Sequence, residues 1–191
     1  SLASLERPRS GTSSIGFKQT ALYWLSVFLD DPPAYERDGR PTMQTKIGRI
    51  STEDLRSAKL LMALAVSKFA FVWWFCSGDD FDVTGGGLKS TPINPEKLTS
   101  AAQDRLVELA DEVLAQYPDH TMFTLYAGKY MGTYVLSEMR SVTDEIDEIL
   151  ARELGFLELM PALEHAYACA YKPTGERPGT LRTDPFADHG Q

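Results

Sequence analysis

Residues 67–93, SKFAFVWWFCSGDDFDVTGGGLKSTPI, decide how the rest of the chain is read. Phe69, Phe71, Val72, Trp73, Trp74 and Phe75 form a dense apolar run. A membrane-spanning helix needs about 20 apolar residues, so a run this short belongs to a core. Ser67 is of the type that caps a helix N-terminus, and Gly78 suits the left-handed turn in which helices often end. The pattern predicts a buried helix over 67–77 and then an acidic turn. Thr84-Gly85-Gly86-Gly87 follows as a loop exposing backbone amides, before Leu88, Pro92 and Ile93 rejoin the core.

Working outward, Ser51-Thr52-Glu53-Asp54 offers a hydroxyl cap and first-turn carboxylates, and Leu55, Ala58, Leu61, Met62 and Ala65 recur at helical spacing. After Pro95, Leu98, Ala102, Leu106, Leu109 and Val113 share one helix face, opposite Asp104, Glu108, Asp111 and Glu112, until Tyr117-Pro118 stops the helix. Residues 121–136 are rich in aromatic and β-branched types and turn at Ala127-Gly128-Lys129, which reads as a hairpin. Ser141 starts a helix of Val142, Ile146, Ile149, Leu150 and Leu154 that Gly155 closes, and a last helix runs over 156–171. Asp38-Gly39 is a further hairpin signal. The expected class is α+β, mostly helical, with one small antiparallel sheet from segments near 36–50, 80–84 and 121–136. Residues 1–16, rich in Ser, Gly, Pro and Arg, read as a linker or arm, with Arg7 and Arg9 in reach of a nucleic-acid backbone. Residues 17–172 form the domain and 173–191 a loosely ordered tail.

With 191 residues, 43% hydrophobic and 24% charged, the composition is that of one soluble globular domain. Cys76 and Cys169 stand in apolar contexts without paired spacing, which fits a reducing, cytoplasmic setting, and Ser1 to Gly16 has no apolar run of the signal-peptide kind. The net charge of −8 opposes a free-standing nucleic-acid binder, because phosphate neutralisation supplies most non-specific affinity. The charge is uneven, however. Residues 1–68 carry ten Lys/Arg against seven Asp/Glu, and 69–191 carry nine against twenty. Contact with DNA would fall to the first third and to the loop near Lys89.

His120, His165 and His189 offer no nucleophile triad, and His165 with Cys169 one helical turn away is too few ligands for zinc. Asp31-Pro32-Pro33-Ala34-Tyr35 approaches the D/N-P-P-aromatic tetrapeptide with which amino-methyltransferases hold a flipped base. Ala34 occupies the aromatic position and Tyr35 is displaced by one. Gly85-Gly86-Gly87 is also followed by too short a run for the helix of an S-adenosylmethionine site, so a polyproline turn under an aromatic cluster is the better reading. In the polar loop that follows, Arg37, Arg40, Lys46 and Arg49 surround Gln44, and Arg and Gln are the side chains that pair with guanine and adenine edges. The same residues also suit an ordinary surface hairpin. Lys129 and Thr133 are lesser candidates for phosphate contact.

The order of these segments resembles the C-terminal, target-recognition region of bacterial restriction-modification DNA N6-adenine methyltransferases of the type IIG kind. The likeness lies in the paired-Trp block, the F-D-V-T and L-K-S-x-P-I segments, Ala21-Leu22-Tyr23-Trp24, Pro32-Pro33-Ala34-Tyr35 and Gln44-Thr45-Lys46. It continues through Gly128-Lys129-Tyr130, Val142 to Leu150, and Gly155-Phe156, covering about residues 17–172. It implies a chain that positions duplex DNA beside an N-terminal catalytic domain, which holds S-adenosylmethionine and transfers the methyl group. This chain would then be inactive alone, hold no cofactor and work in the bacterial cytoplasm. Arg37, Arg40, Gln44, Lys46, Arg49 and Lys89 would touch DNA, and Thr84 would shape its loop. The acidic helical half supports an alternative from a different class, a protein-interaction module that docks a partner subunit or domain without DNA contact.

Overall fold

The chain opens with short strands up to Thr52, turns mostly helical where apolar stripes recur at helical spacing, and returns to strands at the aromatic and β-branched hairpin over 121–134. The computed structural model describes residues 1–7, 11–20, 25–78, 82–170 and 180–187. Its elements are β1 (Ser13–Lys18), β2 (Val27–Phe28), β3 (Ala34–Glu36), β4 (Ile47–Thr52), α1 (Leu55–Ala65), α2 (Lys68–Ser77), α3 (Gly85–Ser90), α4 (Ser100–Gln116), β5 (Thr121–Tyr126), β6 (Lys129–Tyr134), α5 (Arg140–Leu154), α6 (Met160–Ala170) and β7 (Thr180–Leu181). The fold is α+β, with six helices and two antiparallel sheets among the described residues.

The sheets are ordered β2-β1-β4 and β3-β6-β5-β7, so the single sheet expected from the sequence is two. The 36–50 segment is divided between them, with β3 in one and β4 in the other. Among the described residues of the 80–84 segment, Asp82 makes an isolated bridge to Thr20, while residues 80 and 81 lie outside the described residues. In the first sheet, glycines let aromatics lie flat across neighbouring strands. Phe17 pairs with Gly48 and Phe28 with Gly16, and a Cβ at Gly48 would stand 2.2 Å from the Phe17 ring. An aromatic joint links the two sheets: Phe28 meets Tyr134 edge-on at 6.0 Å, and Tyr134 stacks on Tyr117 at 3.9 Å. The Tyr117 hydroxyl donates to the Val27 carbonyl.

The stretch expected as an arm is part of this frame. Leu2 is fully buried, its N–H donates to the Thr91 carbonyl at 3.2 Å, and Ile15 in β1 is buried too. Two deeply buried side chains outweighed a Ser/Gly/Pro-rich composition. Arg9 lies outside the described residues, and Arg7 stays near Glu53, at 3.8 Å.

Ser51 and Thr52 end β4, and the cap of α1 is Asp54, whose carboxylate accepts from the Ser57 N–H at 2.7 Å. Leu55, expected in the core stripe, is exposed, while Ala58, Leu61, Met62 and Ala65 are buried. Ser67 caps α2 as expected, but Gly78 ends it in an extended conformation, not a left-handed one. Trp74 is buried; Trp73 sits at the core edge, where its indole N–H donates to Ser90 Oγ at 3.2 Å. Thr84-Gly85-Gly86-Gly87 is not an open loop. Thr84 Oγ1 accepts from the Gly87 N–H at 3.0 Å and caps α3, so the glycines expected in a loop form the first turn of a helix and the cap takes the Gly87 amide. Cys76 and Cys169 are both exposed.

α4, the β5–β6 hairpin and α5 fall where the periodicity placed them, with Ala127 (φ 49°) and Gly128 (φ 82°) in the hairpin turn and Gly155 (φ 77°) closing α5. α5 begins at Arg140, one residue before the expected cap. Lys59 to Asp111 at 2.7 Å and Arg56 to Asp104 pair α1 with α4. Among the described residues no single helix is long and apolar enough to cross a membrane; α1 and α2 reach that length only together, bent by 66°. In the tail, Thr180 and Leu181 pair with β5 and Phe186 packs on Tyr35 and Tyr130, so the described part is built into the second sheet. Residues 173–179 and 188–191, like the Ala21-Leu22-Tyr23-Trp24 motif and the acidic Asp79-Asp80 turn, lie outside the described residues.

Candidate functional site

The connection from β3 to β4, residues 37–46, crosses from one sheet to the other. Its backbone is fixed at several points. The Glu36 N–H donates to the Arg40 carbonyl at 2.8 Å across the Gly39 turn (φ 88°), and Thr42 N–H donates to Ala34 at 2.9 Å. Farther on, Gln19 N–H donates to Lys46 O at 2.9 Å, with Lys46 itself at φ 55°.

Gln44 is the keystone of this loop. Its amide Nε2 donates to the carbonyls of Pro32 (2.9 Å), Pro33 (3.1 Å) and Gly132 (3.0 Å), and its Oε1 accepts from Lys18 Nζ. The close approach depends on Gly132: its N–H donates to Pro33 O at 2.9 Å, and a Cβ there would lie 2.5 Å from that oxygen. An amide with both ends committed to the frame is not offered to a base edge. Burial lowers the Lys18 ammonium to about 8, against the opposing pull of Asp31.

The other sequence-derived candidates divide in the same way. Arg49 Nη2 donates to both oxygens of Asp31, at 2.8 and 2.9 Å, which also takes up the carboxylate of the Asp-Pro-Pro motif. Lys89 holds both oxygens of Glu6 at 2.8 Å, far from the loop in sequence and tying α3 to the N-terminal turn. Thr84 is spent on capping α3. Arg40 pairs with Asp38 at 2.8 Å, two residues away and well exposed, and hydrogen bonds from Arg40 hold the Asp38 carboxyl below its usual range. Arg37 and Lys46 are exposed and make no ion pair among the described residues. Lys129 sits at the loop root, on Glu36 at 2.8 Å and Thr42 at 3.3 Å.

Two features of this region were not singled out in the sequence. Met43, between the tied Thr42 and Gln44, is 84% exposed. It lines an open cleft of about 370 Å³ together with Pro32, Pro33, Tyr35 and Pro41. Burial and a 2.8 Å hydrogen bond to Asp184 push the Tyr35 hydroxyl up to about 12. A lone apolar residue in a polar loop was the available signal for Met43.

A second charged cluster lies under α2. Lys68 is 4% exposed and its ammonium faces Asp144, Asp147 (3.1 Å) and Glu164 (2.8 Å), while its N–H donates to Asp147 Oδ1 at 2.9 Å. Burial pulls the ammonium down, but the three carboxylates outweigh it and hold it above its ordinary value. Arg140 also reaches Asp144 (3.5 Å) and Glu164 (3.0 Å), whereas Asp147, the most buried of the three acids, has Lys68 as its cation, and burial pushes its carboxyl up to about 6. A third region is the groove of about 720 Å³ between α4 and α5, where Arg105 is held by Glu108, Glu112 and Glu145. No group of three or more His, Cys, Asp or Glu among the described residues is arranged to hold a metal ion, and Cys169 Sγ stands 3.7 Å from His165 Nε2 on the surface.

No family model matches the chain, and neither a curated protein nor a solved structure matches it significantly.

Proposed function

We propose that this chain is the target-recognition region of a DNA adenine-N6 methyltransferase of a restriction-modification system, acting beside a catalytic domain that carries S-adenosylmethionine. One observation supports it above the rest: the loop at 37–46 reverses the sign of a chain whose net charge is −8, holding Arg37, Arg40 and Lys46 outward against a single carboxylate, Asp38. Of the segments that resemble such regions, Pro32-Pro33-Ala34-Tyr35 and Gln44-Thr45-Lys46 meet at this loop, where the Gln44 amide holds the Pro32 and Pro33 carbonyls. Gln44, Arg49, Thr84 and Lys89 then act as supports of the recognition surface, and Arg37, Arg40 and Lys46 as its phosphate contacts.

The acidic α4–α5 groove favours a second reading, a module that docks a basic partner segment or domain. A titration of fluorescent duplex DNA with this chain at low and moderate salt separates the two. Phosphate contact predicts binding whose affinity falls steeply with salt. Arg37→Ala with Lys46→Ala should reduce that slope by about two, one for each cation removed. Absence of binding at low salt would overturn the first reading and leave the second.

A further inference from the structure

We infer that Met43 is an apolar contact carried into a groove of the duplex, with Arg37 and Lys46 seating on phosphates to either side; the inference rests on the DNA-binding reading above. Four observations converge on it. Met43 is 84% exposed. Its exposure is built, because the residues on both sides of it are hydrogen-bonded to the frame: Thr42 N–H to Ala34, and Gln44 to three carbonyls. The surrounding charge suits a polyanion: Arg37, Arg40 and Lys46 lie within six residues of Met43, while of the acids nearby Glu36 is matched by Lys129, Asp38 by Arg40 and Asp31, on the cleft wall, by Arg49, and Asp184 accepts from the Tyr35 hydroxyl. The cleft of about 370 Å³ that Met43 lines gives the side chain room to tilt as it packs.

A long, unbranched thioether suits this role. It adapts to an irregular surface and presents apolar area to base edges, to the thymine methyl in the major groove, or to a base step that opens in the minor groove. A cationic loop with an apolar tip therefore couples two separable contributions. The charges set the salt dependence, and the tip adds affinity that salt does not screen.

The experiment is the same duplex titration, repeated over a series of salt concentrations with Met43→Ala, Met43→Leu and the parent chain. An exposed side chain can be cut back without unfolding the domain, which circular dichroism verifies. The expected result is an affinity loss of roughly tenfold for Met43→Ala at every salt concentration with an unchanged salt slope. Met43→Leu should bind like the parent. Salt-sensitive parent binding that Met43→Ala leaves intact would overturn this inference and spare the reading beneath it. No salt-sensitive binding by the parent would remove both. An equal loss on a single strand of the same sequence would overturn the groove placement.

Discussion

The side chain of Asp147 has the most to tell about how this molecule responds to its surroundings. Its carboxyl ordinarily titrates near 3.8, and burial raises it to about 6. A folded-state value above the unfolded one means that the group supports the fold fully below pH 3.8 and withdraws that support as pH rises through 6. The interval corresponds to about 3 kcal/mol at most. Asp147→Asn keeps an oxygen to accept from the Lys68 N–H and removes the titration. Its stability relative to the parent, measured by urea unfolding, should therefore improve between pH 4 and pH 7. A difference constant across that range would show that Asp147 ionises as an ordinary carboxyl. Gln44 gives a second prediction at this scale. Truncating it leaves the carbonyls of Pro32, Pro33 and Gly132 short of a donor and Lys18 without its acceptor, so Gln44→Ala should cost about 1–3 kcal/mol of unfolding free energy. Gln44→Glu, which cannot donate, should not restore it.

Among elements, α2 and the loop between the sheets show opposite relations to the sequence. The Ser67 cap and the apolar run of α2 are local signals, and both are realised: Ala70 N–H donates to Ser67 Oγ at 3.1 Å. α3 shows where local reasoning fails. Three consecutive glycines have the poorest propensity of any ordinary residue for a helix, yet Gly85–Ser90 is helical, because Thr84 caps it, Leu88 is buried and Lys89 is anchored on Glu6. Packing and a cap overcame propensity. The recognition candidates split along the same line. Residue type marked Arg37, Arg40, Gln44, Lys46, Arg49 and Lys89 equally, but their partners are 11 to 88 residues away for Arg49, Gln44 and Lys89, and no sequence spacing announces such partners.

For the whole molecule, the tail is the part whose placement changes the picture most. Phe186 covers Tyr35 and Tyr130, and Asp184 accepts from the Tyr35 hydroxyl, so residues 180–187 brace the sheet that carries the root of the 37–46 loop. Ending the chain after Ala170 should expose these rings and lower the melting temperature by about 2–4 °C, in keeping with a loss near 1 kcal/mol in a domain of this size. An unchanged melting temperature would mean that the tail contributes nothing to the brace. Charge also acts at this scale. The acidic α4 and α5 faces and the basic loop lie on different elements, which lets one chain of net charge −8 still offer a local cationic surface.

By itself the sequence determined the α+β class, the cores of α1, α2, α4 and α5, the β5–β6 hairpin, and the residues able by type to meet DNA. Those follow from periodicity, caps and turn residues, which act over one or two helical turns or across a two-residue reversal. Only the tertiary structure decided that Leu2 and Ile15 belong to the core, that the strands form two sheets, and that 180–187 returns to the second of them. It also decided which of the marked side chains remain available at the surface. Each of these depends on contacts between residues far apart in the chain, where burial and hydrogen-bond satisfaction outweigh local preference.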